Sequence, residues 1–162
     1  RGQYLRLAER TGFRPVGRPA RRMEDEWSGD IGCGVKYFSQ DGVNKLAPRA
    51  GIELDETEPP AKRLKVVQGL MAENDERAIK VYESIGVYLG HTMGLYAQFY
   101  DIHHVQMMGR VMSGRGGDII LETAARVMDE EYPEVKFRPE APDEMTRRVG
   151  QSSAAASLPE VK

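Results

Sequence analysis

The chain has 162 residues, with 40% hydrophobic and 30% charged side chains and a net charge of −2. That length carries one ordinary domain with a real core, and the near balance of charge leaves no electrostatic footprint for nucleic acid or for an acidic membrane. A single cysteine, Cys33, excludes an intrachain disulfide, and no apolar run has the length of a membrane span or of a signal-peptide core, so a cytoplasmic location is expected. The chain starts at Arg1 rather than Met and reads as a fragment.

In chain order, residues 1 to 30 lack apolar periodicity and read as irregular, with at most a short strand near Val16. Residues 26 to 42, EWSGDIGCGVKYFSQDG, hold the only tryptophan and the only cysteine among four glycines, which marks a tightly bent loop. A short helix is expected from about Asp41 to Ala50, ended by Gly51. The next helix follows the prolines at 59 and 60 and turns Leu64, Val67 and Met71 to one face. Asn74 or Asp75 then caps a long helix, in which Ile79, Tyr82, Ile85, Leu89, Met93, Tyr96 and Tyr100 form one apolar stripe. Gly86, Gly90 and Gly94 form a second stripe at steps of four. Each costs about 1 kcal/mol against alanine inside a helix, so a very close neighbour is expected on this face, with helix-to-sheet packing favoured over the direct approach of a ligand.

HHVQMMGRVM reads as a buried strand and EVKFRPE as a second strand, with Val135 and Phe137 on one face. Between them SGRGGD leads into a helix with Ile120, Ala124, Val127 and Met128 inward, and a final helix covers residues 143 to 158. The order predicts an α/β fold with crossover helices, without internal repeats or low-complexity linkers.

Several groups carry candidate chemistry. His103 and His104 adjoin Asp101, but neighbouring residues of a strand point to opposite faces, so a solvated or structural role is expected. Cys33 reads as inert, and no nucleophile-elbow pattern is present. A strand, a glycine-rich turn and a helix start over MGRVMSGRGGD would expose free amides to an anion. The candidate cofactor-binding residues there are Gly109, Ser113, Gly114, Gly116 and Gly117, against the plainer reading of a tight turn capped by Asp118. The loop acids Glu24, Asp25, Glu26 and Asp30 could hold a hard cation or hydrogen-bond sugar hydroxyls, or simply be solvated. Glu26 and Asp30 are the candidate substrate-binding residues; no catalytic residue and no metal ligand is assigned.

Taken in order, AERTGFRPV, GDIGCGVKYFS, IGVYLGHTMGLYAQFYDIHHVQMMGRVMSG and VGQSSAAASL resemble the second half of the ROK family, the repressors, open reading frames and sugar kinases. The resemblance implies the actin-like ATPase (ribonuclease H-like) fold and a cleft for a sugar, ATP and Mg between two domains. It divides the chain into a degenerate sugar and zinc-loop region at 1–40, an α/β core at 41–142, and a closing helix and tail at 143–162. The family's sugar contacts, two in an ExGH segment and one after the zinc loop, fall here on Arg10, Phe13 and Val35. Its four zinc ligands fall on Phe13, Glu26, Ser28 and Cys33, so no zinc is expected. Gly29, Gly32, Cys33, Tyr37 and Ser39 keep the shape of that loop, with Trp27, Tyr37 and Phe38 expected to pack it together. Met108 and Arg110 replace glycines of the adenosine motif and would crowd a nucleotide.

The family's catalytic Asp and first phosphate loop lie upstream of the matched region. The resemblance therefore implies part of a divergent sugar kinase homologue that cannot transfer phosphoryl alone, with ATP and Mg bound only in a longer protein. The alternative is a non-catalytic sugar-sensing or transcription-regulating protein. The implied partners are a sugar ligand, the missing N-terminal domain and, through an uncovered final helix, a second copy of the chain, with no membrane and no nucleic acid bound by this chain.

Overall fold

The computed structural model describes residues 24–26 and 28–142. The expectations placed on residues 1–23, on Trp27 and on the final helix lie outside the described residues. An antiparallel bridge between Glu24 and Ile31 closes the first loop. Helix α1 (Val35–Phe38) and helix α2 (Gln40–Leu46) follow, and the Ser39 side chain accepts the Asp41 amide at the start of α2. A 3-10 turn, Ala47–Ala50, ends at Gly51 with φ 80°, where the sequence places the stop. Helix α3 (Pro60–Ala72) starts at the second proline and buries Leu64, Val67 and Met71.

Asp75 caps helix α4 (Glu76–Tyr96), accepting from the Arg77 amide at 2.8 Å, after Asn74 has reversed the chain at φ 61°. The Arg77 guanidinium beside it pulls the Asp75 carboxyl down to about 2. Tyr82, Ile85, Leu89 and Met93 are buried as the stripe requires. The stripe stops there: the helix ends at Tyr96, which is exposed, and Tyr100 lies in the turn beyond it, also exposed.

Strand β1 (Val105–Gln106), a 3-10 turn (Arg110–Met112), helix α5 (Arg115–Glu131) and strand β2 (Pro139–Glu140) complete the described chain. The strands pair in parallel, Val105 opposite Pro139 and Gln106 opposite Glu140, so α5 is a crossover helix. Both strands are shorter than the sequence implies, and the second starts beyond Val135 and Phe137. Before the second strand, the Arg138 guanidinium donates to the carbonyl oxygens of Val135 (2.6 Å) and Phe137 (2.7 Å), so these carbonyls are engaged by a side chain where a longer strand would offer them to the ladder.

The centre of the molecule is the contact between α4 and α5. A methyl group at Gly86 would stand 2.6 Å from Thr123 Cβ and 2.8 Å from the Ile120 carbonyl oxygen. At Gly90 it would stand 2.8 Å from Val127 Cβ and 2.9 Å from the Ala124 carbonyl oxygen, and at Gly94 it would enter the Tyr132 ring. The glycine stripe thus meets a helix, not the sheet that sequence reasoning favoured. Contacts rise together along both helices, 86 with 120 and 123, 90 with 124 and 127, 94 with 132, so α4 and α5 run parallel. Ile120, Ala124 and Met128 are fully buried, and α2 and α3 close the core with Val43, Leu64 and Val67.

Candidate functional sites

Two places carry the residues singled out by the sequence. The first is the acidic loop. Asp25 accepts the Ser28 amide on Oδ2 at 2.9 Å, its own amide donates to the Asp30 carbonyl oxygen at 2.9 Å, and the Gly29 amide returns to the Asp25 carbonyl oxygen at 2.8 Å. Gly29 and Gly32 take left-handed conformations at φ 71° and 97°, so the loop keeps a shape that side chains would resist. Asp25 is buried inside this turn, whereas Glu24, Glu26 and Asp30 are exposed.

Glu26 is not free to meet a ligand unaided. Lys36, almost fully buried on α1, donates from Nζ to Glu26 Oε2 at 2.6 Å and to Asp41 Oδ2 at 2.9 Å. The hydrogen bond from Lys36 holds the Glu26 carboxyl below its usual range, and the bonds to Glu26 and Asp41 hold the Lys36 ammonium well above its own. Sequence reasoning missed Lys36. A lone lysine in an aromatic stretch gives no sign of acids ten residues before it and five after it. Two of the four expected zinc positions do meet: Ser28 Oγ lies 3.5 Å from Cys33 Sγ. Glu26 turns to Lys36 instead, and among the described residues no three of His, Cys, Asp and Glu gather closely enough for a metal. Val35, at the expected sugar-contact position, is exposed at the start of α1. Of the loop's aromatic residues, Phe38 lies against Gly34, and Tyr37 stands edge-on to Tyr88 of α4, 6.1 Å between centroids, with Lys45 over its ring.

The second place is the glycine turn. It is not a strand running into a helix: the 3-10 turn at Arg110–Met112 intervenes, and the cap of α5 is Gly114 rather than Asp118, which sits exposed in the first turn. Gly109 (φ 121°) and Gly114 (φ 64°) have left-handed backbones and open space where a Cβ would stand, and Ser113 between them is exposed. Gly116 and Gly117 differ. A Cβ at Gly116 would enter the Tyr82 ring, and one at Gly117 would enter the Met112 backbone. The five candidates therefore divide into an open trio and a buried pair whose smallness serves packing.

Gln68 of α3 ties this turn to the core by donating to the Arg110 carbonyl oxygen at 3.0 Å. It is also the polar group acting on the Tyr82 hydroxyl, which has no well-formed hydrogen bond and which burial pushes up to about 12. Met108 and Arg110 lie at the surface. His103 sits 3.5 Å from Asp101, and His104 is exposed beside it.

No protein-family model, no curated protein and no solved structure matches this chain. Among the described residues no helix is long and apolar enough to cross a membrane.

Proposed function

We propose that this chain is the nucleotide-facing part of a divergent ROK-type sugar kinase homologue of actin-like fold, without phosphoryl-transfer activity of its own. The observation that supports the reading is the turn between β1 and α5. It follows the long glycine-striped helix, opens a parallel crossover, and presents Gly109, Ser113 and Gly114 with open space in front of them. The first amides of a helix have no carbonyl partner within it, which favours an anion. The Gly117 amide is already bonded to the Gly114 carbonyl oxygen at 3.0 Å and Gly116 is covered by Tyr82, so the contact available to a nucleotide is small. ATP with magnesium supplies a transferable phosphoryl group, and its transfer also needs a positioned base and a phosphate clamp.

The test is a titration of the protein with ATP and magnesium, followed by amide resonances. Weak, saturable shifts centred on Gly109, Ser113 and Gly114, with no sugar phosphate formed, agree with the proposal. Shifts centred away from these three, micromolar affinity for ATP, or turnover of ATP with a sugar contradicts it.

The non-catalytic, sugar-sensing or regulatory version of the same family has its own support, the capture of Glu26 by Lys36. A carboxylate already neutralised by a buried ammonium is a poorer acceptor for a sugar hydroxyl, which leaves exposed Asp30 alone among the two substrate candidates. A panel of monosaccharides that shifts the amides of residues 28 to 33 without any phosphorylation favours this version.

A further inference from the structure

The parallel arrangement of α4 and α5 brings their C-terminal ends to one end of the molecule, where Gly94 packs on Tyr132. Each helix end carries a partial negative charge, and a basic residue in the last turn usually offsets it. Neither helix has one there. The last turn of α5 instead holds Asp129, Glu130 and Glu131. Arg138 answers Asp129 directly. His91, one turn from the end of α4, bonds Tyr132 through Nδ1 at 3.2 Å, and its burial favours the neutral ring.

A groove of about 250 Å³ opens at this same end, between the turn after α4 and the segment after α5. Gly94, Ala97 and Val135 are among the residues that line it. Tyr100 and the half-buried Phe137 line it, and Tyr96 meets Tyr100 edge-on at 6.2 Å. Tyr100 is 66% exposed and Phe99 beside it 72%, so costly aromatic surface faces solvent where a core residue is not needed. The charged residues lining the groove are Asp101, Glu134 and Lys136. Lys136 turns its ammonium to the Pro133 carbonyl oxygen at 3.2 Å, and the exposed His103 lies 3.5 Å from Asp101. Among the described residues the balance is negative, and it adds to the two helix ends.

Aromatic residues beside a net negative charge are the chemistry that recognises a weakly hydrated cation. We propose that this groove binds a small quaternary ammonium compound, its methyl groups on the Tyr100 and Phe137 rings and its charge answered by Asp101, Glu134 and the converging helix ends. A primary ammonium fits less well, because it is strongly hydrated and the carboxylates here are too exposed to replace its water. The proposal is independent of the nucleotide-facing turn, which is formed by the opposite end of α5.

The probes are choline and tetramethylammonium, titrated at low salt and neutral pH and followed by amide and aromatic resonances. Saturable shifts confined to residues 94 to 102 and 132 to 138 are expected, with methylammonium weaker than either probe. Tyr100→Leu should weaken binding about three- to fivefold, the worth of one exposed cation–π contact, and Asp101→Asn with Glu134→Gln should weaken it further. All three positions are exposed, so the variants keep the fold, which circular dichroism checks. No saturable shift with either probe, or equal shifts in the Tyr100→Leu and carboxylate variants, overturns the proposal. Much tighter binding of a trimethyllysine peptide than of choline also overturns it, since the ligand would then be a protein tail rather than a free small molecule.

Discussion

Glycine does two different jobs in the helix contact and in the turns of this molecule. In the α4–α5 contact, Gly86, Gly90 and Gly94 have ordinary helical backbones and no room for a methyl group. In the acidic loop and the turn before α5, Gly32, Gly109 and Gly114 have nothing within 4 Å of where a Cβ would stand and backbones that L-residues rarely adopt. The first set is fixed by what packs on it, the second by where the chain must go. The sequence displays both as the same letter, and only spacing separates them: steps of four mark the contact stripe, and scattered glycines in polar surroundings mark the turns.

Substitution breaks the two sets in different ways. Gly90→Val is expected to have the largest effect. It drives a Cβ, with two methyl groups on it, into Val127 and the Ala124 carbonyl oxygen, and should cost about 3 kcal/mol or more in urea unfolding. Gly90→Ala should still destabilise, even though alanine gains about 1 kcal/mol of helix propensity. A stabilised Gly90→Ala would mean that α4 and α5 do not approach this closely.

Gly114→Ala should cost about 1 to 3 kcal/mol, because φ 64° with ψ −160° is a region open essentially to glycine alone. D-Alanine at the same position, introduced by semisynthesis, suits that backbone and should restore most of the loss. If both alanines cost the same, contact rather than conformation selects this glycine. Gly69 supplies the mildest case. It lies exposed in α3 with nothing within 4 Å of a Cβ, and Gly69→Ala should stabilise by about 0.5 to 1 kcal/mol.

A smaller effect comes from His91, half-buried on the α4 face that meets Tyr132. Burial lowers its pKa from 6.5, partly opposed by the Glu131 charge. Below 6.5 the unfolded chain takes up this proton before the folded one does. The His91 contribution to stability is therefore complete above pH 6.5 and is lost as pH falls toward the lower folded value. His91→Gln should flatten that part of the stability profile, and a profile unchanged by the substitution would remove His91 from the account.

The long helices were legible because their signals are local and repeated. Asp75, the apolar stripe to Met93, the proline start of α3 and the stop at Gly51 are all read from neighbours a few positions apart. The strands were not legible at their true length. A pair of two-residue strands has no periodicity, and the competing claim of Arg138 on the Val135 and Phe137 carbonyls depends on a side-chain conformation. The partner of the glycine stripe was hidden for a related reason: small residues announce a close neighbour and say nothing of whether it is a helix or a sheet. At the candidate sites the residue types were visible, but their division was not. Gly114 and Gly116 stand two positions apart in one glycine-rich run, and only the ring of Tyr82, more than thirty residues away, makes one of them a packing residue. Lys36 likewise needed the fold to show that Glu26 and Asp41 converge on it.

The central claim is that α4 and α5 form one cooperative unit, packed through the glycine stripe, while the acidic loop is held by its own turns and by Lys36. Native-state amide hydrogen exchange tests it most directly. The account predicts that amides of residues 85 to 93 and 120 to 128 exchange slowest and at a common free energy, that of global unfolding, while residues 24 to 34 exchange far faster. Exchange of the central α4 amides at a free energy well below that of α5, or protection of the acidic loop equal to that of both helices, would contradict it.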